Sequence, residues 1–282
     1  MAGKDVSCPV CGFAGARMIA RDRFNSRNRY FRCRTCGSGF SETRVHDVAE
    51  TADIHTSAYY SPERKEFREV PAAEAYFLRR LLAWKVSGRL LDVGCGKGRW
   101  LRYIREHSAF EAEGLEPSEA AADYARKERE LAVRTGDLAS AGYPDETFDV
   151  AYMRNVLEHV AVPRELVGEI RRILKPGGVC AVHVPNDASV TNTLKRTLYR
   201  AGLISEFGSL FFPLHVTGFT PRSLDLLFRN TGFEKLARET IAKVRRVYEF
   251  PFVPLDFLLL PAAVTEHLAG RGNLLVGWYA RR

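Results

Sequence analysis

From residue 71 onward the apolar positions switch between two spacings. Ala75, Leu78, Leu82 and Val86 recur at helical intervals behind Pro71 and predict a helix over 71–86. Short apolar runs follow, most of them trailed by a helix-spaced segment. They predict strands at 89–93, 110–116, 131–135, 148–153 and 179–184, and helices at 98–107, 118–130 and 164–174. Ser118 stands where a helix cap is needed, and Lys175-Pro176-Gly177-Gly178 stops the last of these helices. Strand and helix in repeated alternation imply an α/β fold, a parallel sheet covered on both faces. Residues 187–214 break the rhythm with a mixed basic and aromatic insertion. Helix resumes over 221–231, and 274–280 reads as a final strand.

The first 44 residues show no such rhythm. They carry Cys8-Pro-Val-Cys11-Gly and Cys33-Arg-Thr-Cys36-Gly, two similar knuckles. Two residues between paired cysteines let both thiolates reach one ion from a tight turn, and two pairs complete a tetrahedron. That donor set suits a structural Zn²⁺ with no open position, in a small ribbon that the metal folds. A redox dithiol would leave the second pair unexplained. Residues 45–70 are polar and read as a linker, although the adjacent Tyr59 and Tyr60 have the look of a docking pair.

Composition narrows the class. With 46% hydrophobic and 27% charged residues in 282, the chain is neither disordered nor fibrous. Its net charge is +8, and residues 1–44 hold nine basic against three acidic residues, so most of the excess lies there. A basic module suits a polyanion, a phosphorylated ligand or an acidic partner, and is equally an ordinary solvated surface. The opening MAGKDVSCPV lacks the apolar core of a secretory signal, which makes a cytoplasmic location the expectation. No apolar run reaches the roughly 18 residues of a membrane span. The segment 250–264 (FPFVPLDFLLLPAAV) is apolar but broken by prolines and Asp256. It reads as a lid or core element, with contact at a membrane surface as the alternative.

Candidate chemistry concentrates at the ends of the predicted strands. Leu90-Leu-Asp-Val-Gly-Cys-Gly-Lys-Gly-Arg99 is a strand, a Gly-rich turn and a helix start. Gly94, Cys95 and Gly96 form its apex, and the helix start offers free N–H groups to a ligand. Glu116 ends the next strand, where a carboxylate can accept both ribose hydroxyls. Asp137 follows the third strand, placed to accept from an adenine amino group while Leu138 packs on the ring. Asp92 sets a negative charge at the loop, which fits a cationic ligand better than a pyrophosphate.

In order, LDVGCGKG, GLEPS, TGDL, FDVAYMRNVLEHV and ILKPGGVCAVHVPN resemble the class I S-adenosylmethionine-dependent methyltransferases over roughly residues 75–235. The resemblance implies a Rossmann-like, mostly parallel seven-stranded sheet and S-adenosylmethionine as methyl donor. It implies that Asp92, Gly94 and Gly96 hold the methionine part, Glu116 the ribose, and Asp137 and Leu138 the adenine. Arg154 and Asn155 would line the floor beneath the sulfonium. The methyltransferase domain would then span 71–282, with 187–214 as a substrate-side insertion behind the ribbon.

Two histidines are candidates for the chemistry. His159, in Leu157-Glu158-His159-Val160, follows the fourth strand and is either a base or a packing residue. His215, in His215-Val-Thr-Gly-Phe-Thr220, resembles the H-L-x-x-F-T pattern of small-molecule and sugar methyltransferases, with Val216 in place of Leu, and is a candidate base or substrate contact. His183 and Cys180 read as structural. The D/N-P-P-aromatic motif of amino methylation on nucleic acid is absent. The expected acceptor is a small molecule: a sugar, a lipid-linked precursor or a secondary metabolite. One alternative is an RNA methyltransferase whose basic ribbon grips phosphates. Another is an inactive donor-binding scaffold.

Overall fold

The computed structural model describes residues 6–21, 28–42, 71–204, 207, 210, 215–241, 264–266, 268 and 271–282. The linker 45–70 with its tyrosine pair, and all of 250–264 except Val264, lie outside the described residues.

Seven strands make the main sheet. They are β4 (Ser87–Val93), β5 (Ala109–Glu116), β6 (Val133–Thr135), β7 (Phe148–Arg154), β8 (Leu174–Pro185), β10 (Phe233–Ile241) and β11 (Leu274–Arg281). Their order is β10-β11-β8-β7-β4-β5-β6. Only β11 runs against its neighbours. This is the doubly wound arrangement that the strand–helix alternation predicts.

Period-two side chains sort the sheet into two cores. Leu91 and Val93 of β4, Ala151 and Met153 of β7, and Cys180 and Val182 of β8 face one side. There they meet α4 (Pro163–Ile173) and α6 (Pro221–Asn230). Leu90, Val150, Tyr152, Val179 and Ala181 face the other side, against α1 (Pro71–Leu82) and α2 (Arg99–His107). A third cluster joins α2 to α3 (Glu119–Arg129) through Leu101, Ala122 and Ala125. Ser118 caps α3 as expected, accepting from the Ala121 N–H. His183 and Cys180 are buried within β8.

Three elements differ from the sequence pattern. β8 starts at Leu174 rather than 179, because its pairing with β7 jumps from Phe148↔Leu174 to Val150↔Val179. Lys175–Gly178 are thus a bulge inside a strand and not a gap before one. The insertion contains a helix, α5 (Val190–Arg200), capped by Ser189. β10 was not expected at all: it is an edge strand with few buried side chains, and its antiparallel pairing with β11 decides its conformation.

The cysteine module is joined to this body by backbone pairing. β1 (Arg17–Arg21), β2 (Arg29–Arg32) and β3 (Gly39–Ser41) form an antiparallel sheet whose fourth strand is β9 (Thr217–Gly218), with Gly39 opposite Gly218 and Phe40 opposite Thr217. Asp187 is fully buried between the two parts and takes Arg32 (2.9 Å) from β2 and Arg196 (2.8 Å) from α5. The hydroxyl of Thr220 donates to the Cys36 carbonyl at 3.3 Å while its oxygen caps α6. Phe31 and Phe40 belong to the same core cluster as Phe219 and Leu224.

Candidate active site and cysteine cluster

The carboxyl ends of β4, β5, β6 and β7 lie along one edge of the sheet, the edge where open α/β sheets take their ligands. After β4 the chain turns back through Gly94, whose N–H donates to the Leu115 carbonyl at 2.7 Å. Gly98 caps α2 at φ 76°, and a β-carbon there would overlap Leu131 and lie 3.2 Å from Ala125. Gly98→Ala is therefore expected to cost roughly 1–3 kcal/mol in chemical denaturation, from left-handed strain and overpacking together.

Glu116 reaches across the loop. One carboxylate oxygen accepts the Gly96 N–H at 2.8 Å and the other the Ser118 N–H at 2.9 Å. Burial raises its pKa against the opposing pull of those two hydrogen bonds. Asp92 is 3% exposed, and its pKa is pushed up to about 8. Desolvation is the main cause, Arg154 opposes it, and Glu74 and Glu116 add to it. Glu74 is the residue that the sequence reading missed. It lies in the first turn of α1, where an acid looks like an ordinary helix-start charge. Folding instead buries it to 3% exposure between Arg154 (3.0 Å) and Arg99 (2.8 Å). The crevice thus holds three buried carboxylates, Glu74, Asp92 and Glu116, and Glu74 pairs with two guanidiniums.

The other predicted site residues are distributed as follows. Asp137 accepts the Ser140 N–H at 2.7 Å, and such hydrogen bonds hold its carboxyl below the usual range. Leu138 is buried in the main core cluster. Asn155 follows β7 in the left-handed region (φ 57°), its N–H on the His183 carbonyl, and is exposed. Cys95 is turned inward beside Gly114, where a β-carbon would meet its sulfur.

His159 and His215, 56 residues apart in sequence, meet edge to face with ring centroids 4.8 Å apart. His159 lies in a single 3₁₀ turn, Leu157–His159, next to the buried carboxylate of Glu158. His215 is held there by its neighbour: the Val216 N–H donates to the Glu158 carbonyl and the Val216 carbonyl accepts from Ser41 of β3, both at 2.9 Å. The turn is adjacent to the Gly-rich loop, since a β-carbon on Gly94 would stand 2.7 Å from Val156.

The segment before β1 and the turn between β2 and β3 bring the four cysteine sulfurs together. Cys8 and Cys36 are 3.6 Å apart, as are Cys11 and Cys33, and one sulfur from each lies within 4.8 Å of all the others. A tetrahedral zinc with Zn–S bonds of about 2.3 Å separates its sulfurs by about 3.8 Å. Each knuckle closes with a glycine N–H donating back to the first cysteine carbonyl, from Gly12 to Cys8 (2.8 Å) and from Gly37 to Cys33 (3.1 Å). The donor set and its turns fit one zinc ion.

The Methyltransferase domain family model matches residues 64–238, and the chain belongs to that family. Among curated relatives, a sterol 24-C-methyltransferase of Candida albicans is 32% identical over 148 residues, which is 50% of this chain and 39% of that protein. The match thus spans about two fifths of the relative's length. A SAM-dependent methyltransferase of Archaeoglobus fulgidus superposes with a TM-score of 0.55 at 19% identity, over 80% of this chain and 100% of that one. The geranyl diphosphate C-methyltransferase of Streptomyces coelicolor gives 0.54 at 16% identity, over 75% and 79%. These two likenesses establish the fold, the Rossmann-like sheet of S-adenosylmethionine-dependent methyltransferases. Among the described residues no helix is long and apolar enough to cross a membrane.

Proposed function

We propose that the chain transfers a methyl group from S-adenosylmethionine to a small-molecule acceptor. The observation that carries this is the set of buried carboxylates around the Gly-rich loop, in a chain of the methyltransferase family. A buried acid is costly unless a cation compensates it, and the donor brings a sulfonium and an ammonium. Asp92 and the loop Gly94, Cys95 and Gly96 hold the methionine part. Glu116, already fixed by two backbone N–H groups, keeps further lone pairs for the ribose hydroxyls. Asp137 and Leu138 take the adenine side, and Arg154 and Asn155 form the floor. Glu74 fixes the Arg154 guanidinium, so α1 helps to shape the crevice.

The reaction is an in-line displacement. The acceptor's nucleophilic atom bonds to the methyl carbon, and the S–CH₃ bond breaks with its electron pair left on sulfur. Alignment and exclusion of water supply most of the acceleration. His159 and His215 stand where the acceptor is expected, one turn from Gly94. A small acceptor is favoured over RNA because the described ribbon spends part of its positive charge internally: Arg29 pairs with Glu42, and Arg32 with Asp187. The curated relatives named as sterol methyltransferases support a small lipid-like acceptor. Zinc at Cys8, Cys11, Cys33 and Cys36 is structural in this reading.

Glu116→Ala is expected to weaken donor binding at least about 100-fold in calorimetry, through the loss of the ribose contacts and of the loop's anchor on Gly96. Unchanged affinity would place the donor elsewhere. Transfer of labelled methyl into a cell extract, fractionated into small molecules, lipid, protein and RNA, tests the acceptor class. Label confined to RNA would overturn it.

A further inference from the structure

Glu158, His159 and His215 form a second cluster of metal-ligating side chains, separate from the cysteines. One donor atom from each lies within 4.8 Å of the other two. His159 Nε2 is 4.0 Å from a Glu158 carboxylate oxygen, and the two imidazoles stand at 79° to each other. Glu158 is 1% exposed, while both histidines are only half-buried.

The cluster is built rather than incidental. Glu158 and His159 come from one 3₁₀ turn, and His215 is delivered by the Val216 N–H bound to the Glu158 carbonyl itself. A first-row divalent ion with bonds of about 2.0–2.2 Å holds its ligand atoms about 3–4 Å apart, so side-chain shifts below an ångström close the set. Two imidazoles and one carboxylate are the harder donor set, in contrast to four thiolates, and three protein ligands leave coordination positions open. The cluster also lies one turn from the residue that abuts Gly94, which places those positions beside the proposed donor site.

We propose that Glu158, His159 and His215 bind one divalent first-row cation that holds an oxygen of the acceptor next to the donor's methyl group. The cation site stands on the cluster alone; its use in catalysis rests on the methyl-transfer reading. A hydroxyl bound to such an ion loses its proton to solvent at neutral pH more readily than a free one. Its oxygen then bonds to the methyl carbon, and the S–CH₃ bond breaks with its pair on sulfur. Acceptor hydroxyl and sulfonium give methyl ether, thioether and one proton. In this assignment the histidines are ligands rather than proton acceptors. The acceptor class becomes a molecule with a hydroxyl next to a second oxygen, able to chelate.

The test uses the full chain with zinc supplied to the cysteines and Mn²⁺ as probe, since thiolates select softer ions than Mn²⁺. Titration followed by the electron paramagnetic resonance of free Mn²⁺ should show one ion taken up per chain. His215→Gln, which leaves buried Glu158 in place, should weaken uptake at least about tenfold. The pair His159→Ala and His215→Ala should abolish it, with donor affinity unchanged in calorimetry. As a second probe, Co²⁺ should give visible bands without thiolate charge transfer, absent in the double variant. Neither Mn²⁺ nor Co²⁺ bound outside the cysteines, or equal uptake by the double variant, overturns the site. Donor calorimetry on the unaltered chain separates this failure from a failure of the methyl-transfer reading.

Discussion

The affinity for S-adenosylmethionine should climb by close to tenfold per pH unit between about pH 5.5 and 7.5, and flatten above about 8. Asp92 is the reason. Burial lifts its pKa to about 8, with Glu74 and Glu116 adding to the effect against Arg154, so it is mainly protonated below neutrality. A cationic donor stabilises the ionised form, and binding therefore expels the proton. Linkage then makes affinity rise with pH until Asp92 is ionised without the donor. Calorimetry in two buffers of different ionisation enthalpy should report nearly one proton released at pH 7. Asp92→Asn should remove both the slope and the proton release. A flat profile in the unaltered chain would show that Asp92 does not face the donor's charge. The same shift has a stability consequence of the opposite sense. Between pH 4 and 8 the native state binds the proton that the unfolded chain gives up, so this group's contribution falls as pH rises. Bound donor offsets that loss.

Removal of zinc should abolish turnover while leaving donor affinity within about threefold. Zinc binding contributes about 10–16 kcal/mol to the folding of small zinc modules, more than a small module's own core supplies. Without it β2 and β3 keep only their contacts with the main body, through β9, Asp187 and the core around Phe31 and Phe40. β3 is the strand that pairs with β9, and its Ser41 N–H holds the Val216 carbonyl. Val216 in turn holds Glu158, and His215 precedes it. Chelation should therefore release the His215 segment from the 3₁₀ turn at His159, while the Gly-rich loop, which has its own partners in β5, stays formed. Elemental analysis should find one zinc per chain at the cysteines, and hydrogen exchange after chelation should show lost protection at 216–218 but not at 90–98. Turnover that survives loss of the cysteine-bound zinc, with Mn²⁺ restored to the other cluster, would mean that the ribbon does not support the acceptor side. Cys36→Ser should reproduce the chelated state in part.

What was legible in the sequence follows from the range of the interactions. The C-x-x-C-G knuckles, the Gly-rich turn, the Ser118 cap and the strand-end acids are encoded within a few residues, because each rests on a local turn or a fixed spacing. The order of five such segments was enough for the family and for the seven-stranded sheet. β10 was missed because an edge strand with few buried side chains carries no clear period. The helix of the insertion was hidden by its mixed composition.

Residue types and short spacings by themselves determined the α/β class, the cysteine quartet and the two candidate histidines. Only the tertiary structure decided that Glu74 of α1 is buried against Arg99 and Arg154, that β3 borrows β9 as its neighbour, and that the side chains of His159 and His215 cluster with that of Glu158. Each of these joins segments dozens to nearly two hundred residues apart. Such pairings depend on how the whole sheet closes and on which buried charges must be compensated, and no local spacing records either.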